Sequence, residues 1–383
     1  MKFIFVAVLA SMSLLLPAQG VHFSEWKNVI RSCKFSEEIK LQASNNNLDL
    51  VKYKDKYYLA FRTAPTHFAS KKVWLYVVSS TDLQNWEFEK GINLNSDVRE
   101  PRWYTYHDTL FLMFFQGGQD LFHFEPKCIY SAFTTGNKAW SELIDNGLYG
   151  YVPWRIHERN DTLYLSAYYG VNLYQNSHHG DLRLFTSTDG IIWNTLADEP
   201  QVTVKGAEEG EFVFDKQGNL WAVIRLEGSG SMVAYADKGN LKNWKLFPSK
   251  YKYDSSFLFE HNDDIYLLSR RNLDGEADKS PLWMKPGTRR NLNIIRYSVT
   301  RKTTALFKLN KKEMKMDFVK DMVGTGDNAY PALVNNGSGK FVVMNYSSDL
   351  KHKKRNWLSG QLGKTFIYLA EMTIDETQAS PKQ

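Results

Sequence analysis

Residues 211–225 read EFVFDKQGNLWAVIR: a run of apolar and polar residues in alternation, a Gln217-Gly218 turn, and a second run that stops on an arginine. Alternation of period two on both sides of a glycine turn is the pattern of a β-hairpin with a buried face. The pattern returns as LDLVKYKDKYYLAFR (48–62), PRWYTYHDTLFLMFFQ (101–116), PWRIHERNDTLYLSAYY (153–169), SSFLFEHNDDIYLLSRR (255–271) and PALVNNGSGKFVVMNY (331–346). Lys54-Asp55, Asn160-Asp161, Asp263-Asp264 and Ser338-Gly339 fill the turns with residue types that tight hairpins favour. Six related hairpins constitute an internal repeat, and the repeat sets the architecture.

Several hairpins lead into a further strand and a tryptophan: VWLYVVSSTDLQNW (73–86), CIYSAFTTGNKAW (128–140), LRLFTSTDGIIW (182–193) and MVAYADKGNLKNW (232–244). A third strand, a turn, the tryptophan and a fourth strand complete a four-stranded sheet. The predicted fold is all-β, a six-bladed β-propeller of four-stranded antiparallel sheets, with residues 21–383 as a single domain. The alternating segment EIKLQAS predicts a strand near Ile39–Ala43 that closes the last blade. In STDGIIW (187–193), Asp189 is expected to accept hydrogen bonds from the turn backbone, Gly190 to take a positive φ, and Trp193 to pack between sheets. Those duties are structural, and the related Asp82 shares them.

Residues 1–20, MKFIFVAVLASMSLLLPAQG, combine one lysine, an apolar run from Phe3 to Leu16 and a small-residue close, the pattern of a signal peptide cut after Gly20. The run has 14 residues, short of the roughly 20 that a membrane span needs. A secreted or periplasmic protein without a membrane span is expected. The formal charge of +6, or +5 without Lys2, is spread among interspersed acids, which gives no case for nucleic acid. Cys33 and Cys128 are the two cysteines, and export predicts a disulfide between them. His178 and His179 lack ligand spacing, so neither a metal nor a cofactor is expected, and the partner is a glycan met by a monomer.

In a hairpin the start of the first strand lies beside the end of the second, so these positions of all six units share one rim. The second strands end in Arg62, Gln116, Tyr169, Arg225, Arg270 and Tyr346. The first strands begin near Asp49, Glu100 with Arg102, Trp154 with Arg155, Glu208 to Glu211, Asp254, and Asp327 with Tyr330. A guanidinium grips a carboxylate through a planar fork, and three in register, Arg62, Arg225 and Arg270, predict a clamp for one anionic group. Arg102, Asp49 and Asp327 join them as substrate-binding candidates. Glu208, Glu209 and Glu211, beside a glycine and opposite Arg225, form a carboxylate cluster suited to acid–base work.

AFRTAP (60–65) resembles the Phe-Arg-x-x-Pro motif of sialidases, and STDGIIW resembles their Asp-box, with Ile192 where threonine is usual. EEGEFVFDKQGNLWAVIR (208–225) is similar to the stretch that carries their second arginine, and GDNAYPALV (326–334) to the segment that carries their tyrosine. The resemblance spans roughly residues 45–372. It implies that Arg62, Arg225 and Arg270 bind a substrate carboxylate, that Tyr330 is the nucleophile, and that Glu209 or Glu211 is its base. The general acid stays open among Asp97, Glu100 and His67. The implied activity is an exported glycoside hydrolase that removes a terminal acidic sugar, sialic acid or a relative.

TDLQNW and VREPRW also resemble five-bladed furanosidases, in which Asp49, Glu100 and Glu209 would do the work as acids. A third reading keeps the propeller without catalysis, with Trp103, Trp154, Tyr169 and Tyr174 stacked on sugar faces.

Overall fold

The computed structural model describes residues 20–120, 125–137, 139–171 and 180–375. Each repeat folds as an antiparallel hairpin: Ser44–Tyr53 with Lys56–Ala64, Val98–Tyr106 with Thr109–Gln116, and Tyr151–Arg159 with Thr162–Tyr169. Ala207–Phe214 then pairs with Leu220–Leu226, Asp254–His261 with Asp264–Asn272, and Asn328–Asn335 with Lys340–Ser348. They are called here the first to the sixth hairpin. The helices among the described residues are short: Val29–Ser32, Pro286–Ser298 and Trp357–Gln361.

The chain is a β-propeller of four-stranded antiparallel sheets, but its sheets do not divide into the six separate blades that the repeat predicts. The second to fifth hairpins each head their own four-stranded sheet, which makes four free-standing blades. The first and sixth hairpins are instead joined in one ten-stranded sheet. The splice is the strand Thr365–Ile374, which follows the sixth hairpin and meets the first at a parallel bridge, Thr365 to Ser44. Thr365 Oγ1 accepts from Asn45 N at 2.9 Å and donates to Asn45 O at 3.0 Å, so a side chain extends the ladder where the backbones diverge.

The outer edge of that sheet also differs from expectation. Val21–Phe23 and Lys27–Asn28 pair with Thr365–Ile374, while residues 39–43 form no strand. The N-terminal arm thus covers the edge earlier than the EIKLQAS pattern predicts, and Ile39 is used as a buried apolar anchor instead. The expected Cys33–Cys128 disulfide is absent too. Cys33 Sγ reaches Leu83 O at 3.5 Å, whereas Cys128 donates to Asp145 Oδ1 at 2.8 Å on another blade. Burial, then Asp145, pushes the Cys128 thiol up to about 12. Residues 1–19 of the expected leader, Tyr174, His178 and His179 lie outside the described residues.

The turns of STDLQNW and STDGIIW share one hydrogen-bond pattern. Asp189 Oδ1 accepts from Ile191 N and Ile192 N, both at 2.8 Å, and from Ser187 Oγ at 2.9 Å. Asp82 Oδ1 accepts from Gln84 N and Asn85 N at 2.8 Å and from Ser80 Oγ at 3.0 Å. Gly190 has φ +77°, and a Cβ there would meet the Phe111 ring at 3.1 Å, so this turn docks face to face on the second blade. Tyr104 of that blade seals the contact, donating to Gly190 O at 2.7 Å and meeting Trp193 edge to face.

Asp189→Ala removes an acceptor shared by three groups and is expected to cost about 1–3 kcal/mol in urea unfolding. Against the cost of burial, those donors hold the Asp189 carboxyl below its ordinary value. Its contribution is therefore full above the ordinary carboxylate range and is lost as pH falls through the lowered folded value, which the pH dependence of the mutant difference checks. Alkylation of unfolded, unreduced protein is expected to modify both thiols; a cross-linked mass would contradict the separate placements.

Candidate functional site

The first strand of all six hairpins carries a β-bulge at the same place: between Asn46 and Leu48, Arg99 and Arg102, Pro153 and Arg155, Glu208 and Glu211, Asp254 and Phe257, and Ala329 and Ala332. A bulge turns a side chain out of the alternation that the sheet otherwise imposes. Five of the six contain a non-glycine residue in the left-handed region: Asn47 (φ 41°), Glu100 (56°), Glu209 (49°), Ser255 (50°) and Tyr330 (52°). Each such conformation costs of order 1–3 kcal/mol and persists because the surrounding structure fixes it.

Carboxylates two residues past the bulge supply part of that fixing. Asp49 Oδ2 accepts from Trp103 N of the next hairpin at 2.9 Å, and Glu211 Oε1 accepts from Leu258 N of the next hairpin at 3.0 Å. Glu209 Oε2 takes Ser255 N at 2.6 Å in the same sense. These three predicted site residues therefore pin one hairpin to its neighbour. Glu211 also binds Arg155 Nε at 2.8 Å and 3.1 Å, and Asp49 lies 3.8 Å from the same guanidinium.

The three arginines expected to form a clamp stand in register at their strand ends, opposite Asn46, Glu208 and Asp254. Their forks are filled by the chain itself. Arg62, fully buried, donates to Asp97 at 2.8 Å, to Asn46 at 3.2 Å, and to the carbonyls of Phe68 and Thr66 at 2.9 Å and 3.3 Å. Arg225 lies among Glu209 at 2.5 Å, Glu227 at 2.6 Å, Glu208 at 3.0 Å and Asp254 at 3.3 Å. Arg270 reaches Asp254 at 3.4 Å and Asn328 O at 2.8 Å. Arg225 and Arg270 thus converge on one carboxylate, and that carboxylate is Asp254.

The other open candidates are tied into the same rim. Asp97 bridges Arg62 and Arg99, at 2.8 Å and 2.5 Å. Asp327 accepts from His67 Nδ1 at 2.7 Å, in the tautomer that places the proton there, and from the Tyr346 hydroxyl at 2.9 Å. Trp103 is buried with its indole N–H on Asp49 O at 3.0 Å, and Trp154 is fully buried, whereas Tyr169 is partly exposed.

At the centre a different group of side chains meets. The Arg102 guanidinium stacks on Trp154, 4.4 Å from the ring centroid, and on Tyr330 at 5.0 Å; the two rings stand 5.6 Å apart. These residues come from the second, third and sixth hairpins, so the contact crosses the ring of blades. All are buried, yet Arg102 Nε and Nη2, Trp154 Nε1, Tyr330 Oη and Glu100 Oε2 make no hydrogen bond of ordinary geometry among the described residues. Arg102 occupies the position at which the first and fourth hairpins place Asp49 and Glu211. A cation there cannot accept the neighbour's N–H and is left with free donors.

Burial, with Glu209 adding and Arg102 opposing, pushes the Glu100 carboxyl up to about 7. Burial first and the Glu100 charge second push the Tyr330 phenol well above its ordinary value. The two groups act on each other's ionisation, Glu100 pushed toward neutrality and Tyr330 kept protonated, an arrangement suited to proton exchange. The rim pattern read from the sequence names all these residues but not which acid faces the tyrosine. The signal that carries this pairing is the proline after each bulge residue, in Glu100-Pro101 and Tyr330-Pro331. Proline lacks the N–H that a bulge would leave unpaired, so both bulges can be buried without an orphan donor.

No family model matches the sequence, and no curated protein matches it. Solved structures do. A protein of unknown function from Dyadobacter fermentans aligns with a TM-score of 0.65 at 14% identity, over 93% of this chain and 99% of that one. The Trypanosoma rangeli sialidase in complex with the inhibitor DANA aligns with a TM-score of 0.60 at 10% identity, over 92% of this chain and 59% of that one. The phage phi92 endosialidase gives 0.56 at 11% identity, over 88% and 68%. The fold is a sialidase-like propeller, and this chain spans about 59% of the length of the trypanosomal enzyme.

The rim arginines and the central one are expected to respond in opposite ways to substitution. Arg62→Ala leaves Asp97 with Arg99 alone and strips the part-buried Phe68 and Thr66 carbonyls of their donor, and it should cost about 3–5 kcal/mol. Arg102→Met keeps the stem and removes a buried cation that forms no ion pair among the described residues, so it should be neutral or stabilising. Urea midpoints of the two variants check the contrast.

Proposed function

We propose that this chain is an exported glycoside hydrolase of the sialidase type, acting on a terminal acidic sugar. The observation that carries the reading is the buried group of Glu100, Arg102, Trp154 and Tyr330, each with a polar atom that makes no ordinary hydrogen bond among the described residues and that a ligand would satisfy. A buried polar atom without a partner costs on the order of 1–3 kcal/mol, and a substrate that supplies the partner recovers it. The likeness to sialidase structures supports the fold on which this chemistry is built.

In the proposed reaction Tyr330 Oη attacks the anomeric carbon as the bond to the leaving oxygen breaks. The phenol proton passes to the Glu100 carboxylate and from there to the leaving oxygen. Water then displaces the tyrosine in the second step, with Glu100 receiving its proton and returning one to the phenolate. A phenol is a neutral nucleophile, which suits a carbon that already bears a carboxylate. Arg102 offers its free N–H groups to that carboxylate, and Trp154 holds the guanidinium flat by stacking. Arg62, Arg225 and Arg270 frame the site while their own acids neutralise them. Asp49, Glu209 and Glu211 keep the bulges in place, which leaves the acid-only furanosidase reading without a free carboxylate pair.

Turnover of a fluorogenic sialoside tests the proposal. The wild type is expected to cleave it and to leave neutral arabinofuranosides untouched; the opposite preference would contradict the reading. Tyr330→Phe should lower kcat at least ~100-fold with KM little changed, because it removes the nucleophilic oxygen alone. Since Glu100 must be ionised to take the phenol proton, kcat/KM should rise with pH through about 7. Glu100→Gln should abolish that limb. Binding of sialosides without turnover would assign the propeller to the non-catalytic class.

A further inference from the structure

The helix Pro286–Ser298 turns a polar face to the protein. Its buried residues are Arg290, Asn293 and Tyr297, a polar stripe at helical spacing. They face the rim: Asn293 donates to Gly228 O at 3.2 Å, Arg290 to Glu227 O at 3.3 Å, and the Tyr297 hydroxyl bonds Asp254. Apolar residues on the helix and just beyond its ends are exposed. Trp283 is 85% exposed, Leu282 82%, Ile295 63% and Val299 52%. The helix Trp357–Gln361 packs beside it, with Trp357 N on Thr300 O at 3.1 Å and the Trp357 ring on Tyr297, and it adds exposed Leu358 and Leu362. Of the thirteen exposed large hydrophobic residues among the described ones, seven fall in residues 273–299 and 358–362, so the apolar surface is concentrated here.

The same two segments hold the charge of the protein. Residues 273–301 contain six Lys and Arg against three Asp and Glu, and residues 349–364 contain five against one. Their joint excess is seven positive charges, whereas the whole chain has six, so the remainder of the molecule is slightly acidic. Lys279, Lys285, Arg296, Lys351, Lys353 and Lys354 are exposed around the apolar residues. Both segments follow second strands, Asp264–Asn272 and Lys340–Ser348, and therefore rise from the face that carries Arg270 and Tyr346.

We infer that these two segments form a docking surface for an anionic lipid bilayer. An exposed tryptophan with leucine and isoleucine, ringed by lysines and arginines, matches an interface in which apolar side chains enter the acyl boundary and cations meet the headgroups. A soluble polyanion would use the cations and leave Trp283 and Leu282 in water. The inference deepens the glycosidase reading by setting the candidate site beside a membrane surface, but it stands on residues outside that site.

Co-sedimentation with vesicles tests it, using the purified full chain. Vesicles of phosphatidylcholine with phosphatidylglycerol are expected to bind at least ~10-fold more tightly than phosphatidylcholine alone, with the difference shrinking in high salt. Leu282→Ala with Trp283→Ala should reduce binding at least ~10-fold and leave the unfolding midpoint unchanged. Lys353→Glu with Lys354→Glu should remove the preference for anionic lipid. Equal binding to both vesicles, undiminished binding by the Leu282/Trp283 variant, or a dimer in sedimentation velocity that this variant dissociates would each overturn the inference. Because no outcome depends on turnover, a failure here is distinct from a failure of the glycosidase reading.

Discussion

Every feature of the centre depends on one backbone constraint, the bulge at the start of each hairpin. In an uninterrupted strand the alternation of side chains would bury one set between sheets and send the other to the neighbouring blade. The extra residue breaks that alternation and releases Glu100, Trp154 and Tyr330 toward the centre of the ring. Left-handed φ values on non-glycine residues make the device costly, and the cost is offset by carboxylates that cap the next hairpin's N–H groups. Closure at Thr365 and Ser44 then holds the ring together, since a bulge aims a side chain usefully only if the opposite blade is fixed.

Electrostatics divides the rim into two populations that share residue types and differ in partners. Arg62, Arg225 and Arg270 are compensated by Asp97, Glu208, Glu209, Glu227 and Asp254. Buried ion pairs of this kind specify geometry more than they stabilise, because desolvation consumes much of the Coulomb gain. Arg102 has no salt bridge among the described residues; aromatic faces contact it instead. A guanidinium that is desolvated and stacked, and that feels Asp49, Glu100 and Glu211 without a salt bridge among the described residues, is the group that the proposed reading gives to the substrate carboxylate.

The hairpins were legible because period-two alternation and turn chemistry are local, and the rim positions followed from hairpin register alone. The STDGIIW turn was legible for the same reason. Sheet boundaries were not, since the Thr365–Ser44 splice joins residues more than three hundred positions apart through a side chain. The edge strand Val21–Phe23 was missed because three residues carry no period. Two cysteines behind a leader-like apolar start suggest a bridge, yet spatial separation is invisible in composition. Within the site the residue identities were readable and their pairing was not: Glu209 and Glu211 look freer than Glu100 in sequence, and the bulges reverse that order. Pro101 and Pro331 were the local signal, and they make sense once the bulge is seen.

The central claim is that Tyr330 forms the bond to the sugar. Incubation with a fluorinated acidic sugar that carries a good leaving group, followed by peptide mass spectrometry, examines that bond directly. The account predicts one sugar attached to the peptide containing Tyr330, with no adduct in Tyr330→Phe. An adduct on Asp49, Glu100 or Glu209, or steady turnover with no adduct on Tyr330, would contradict it.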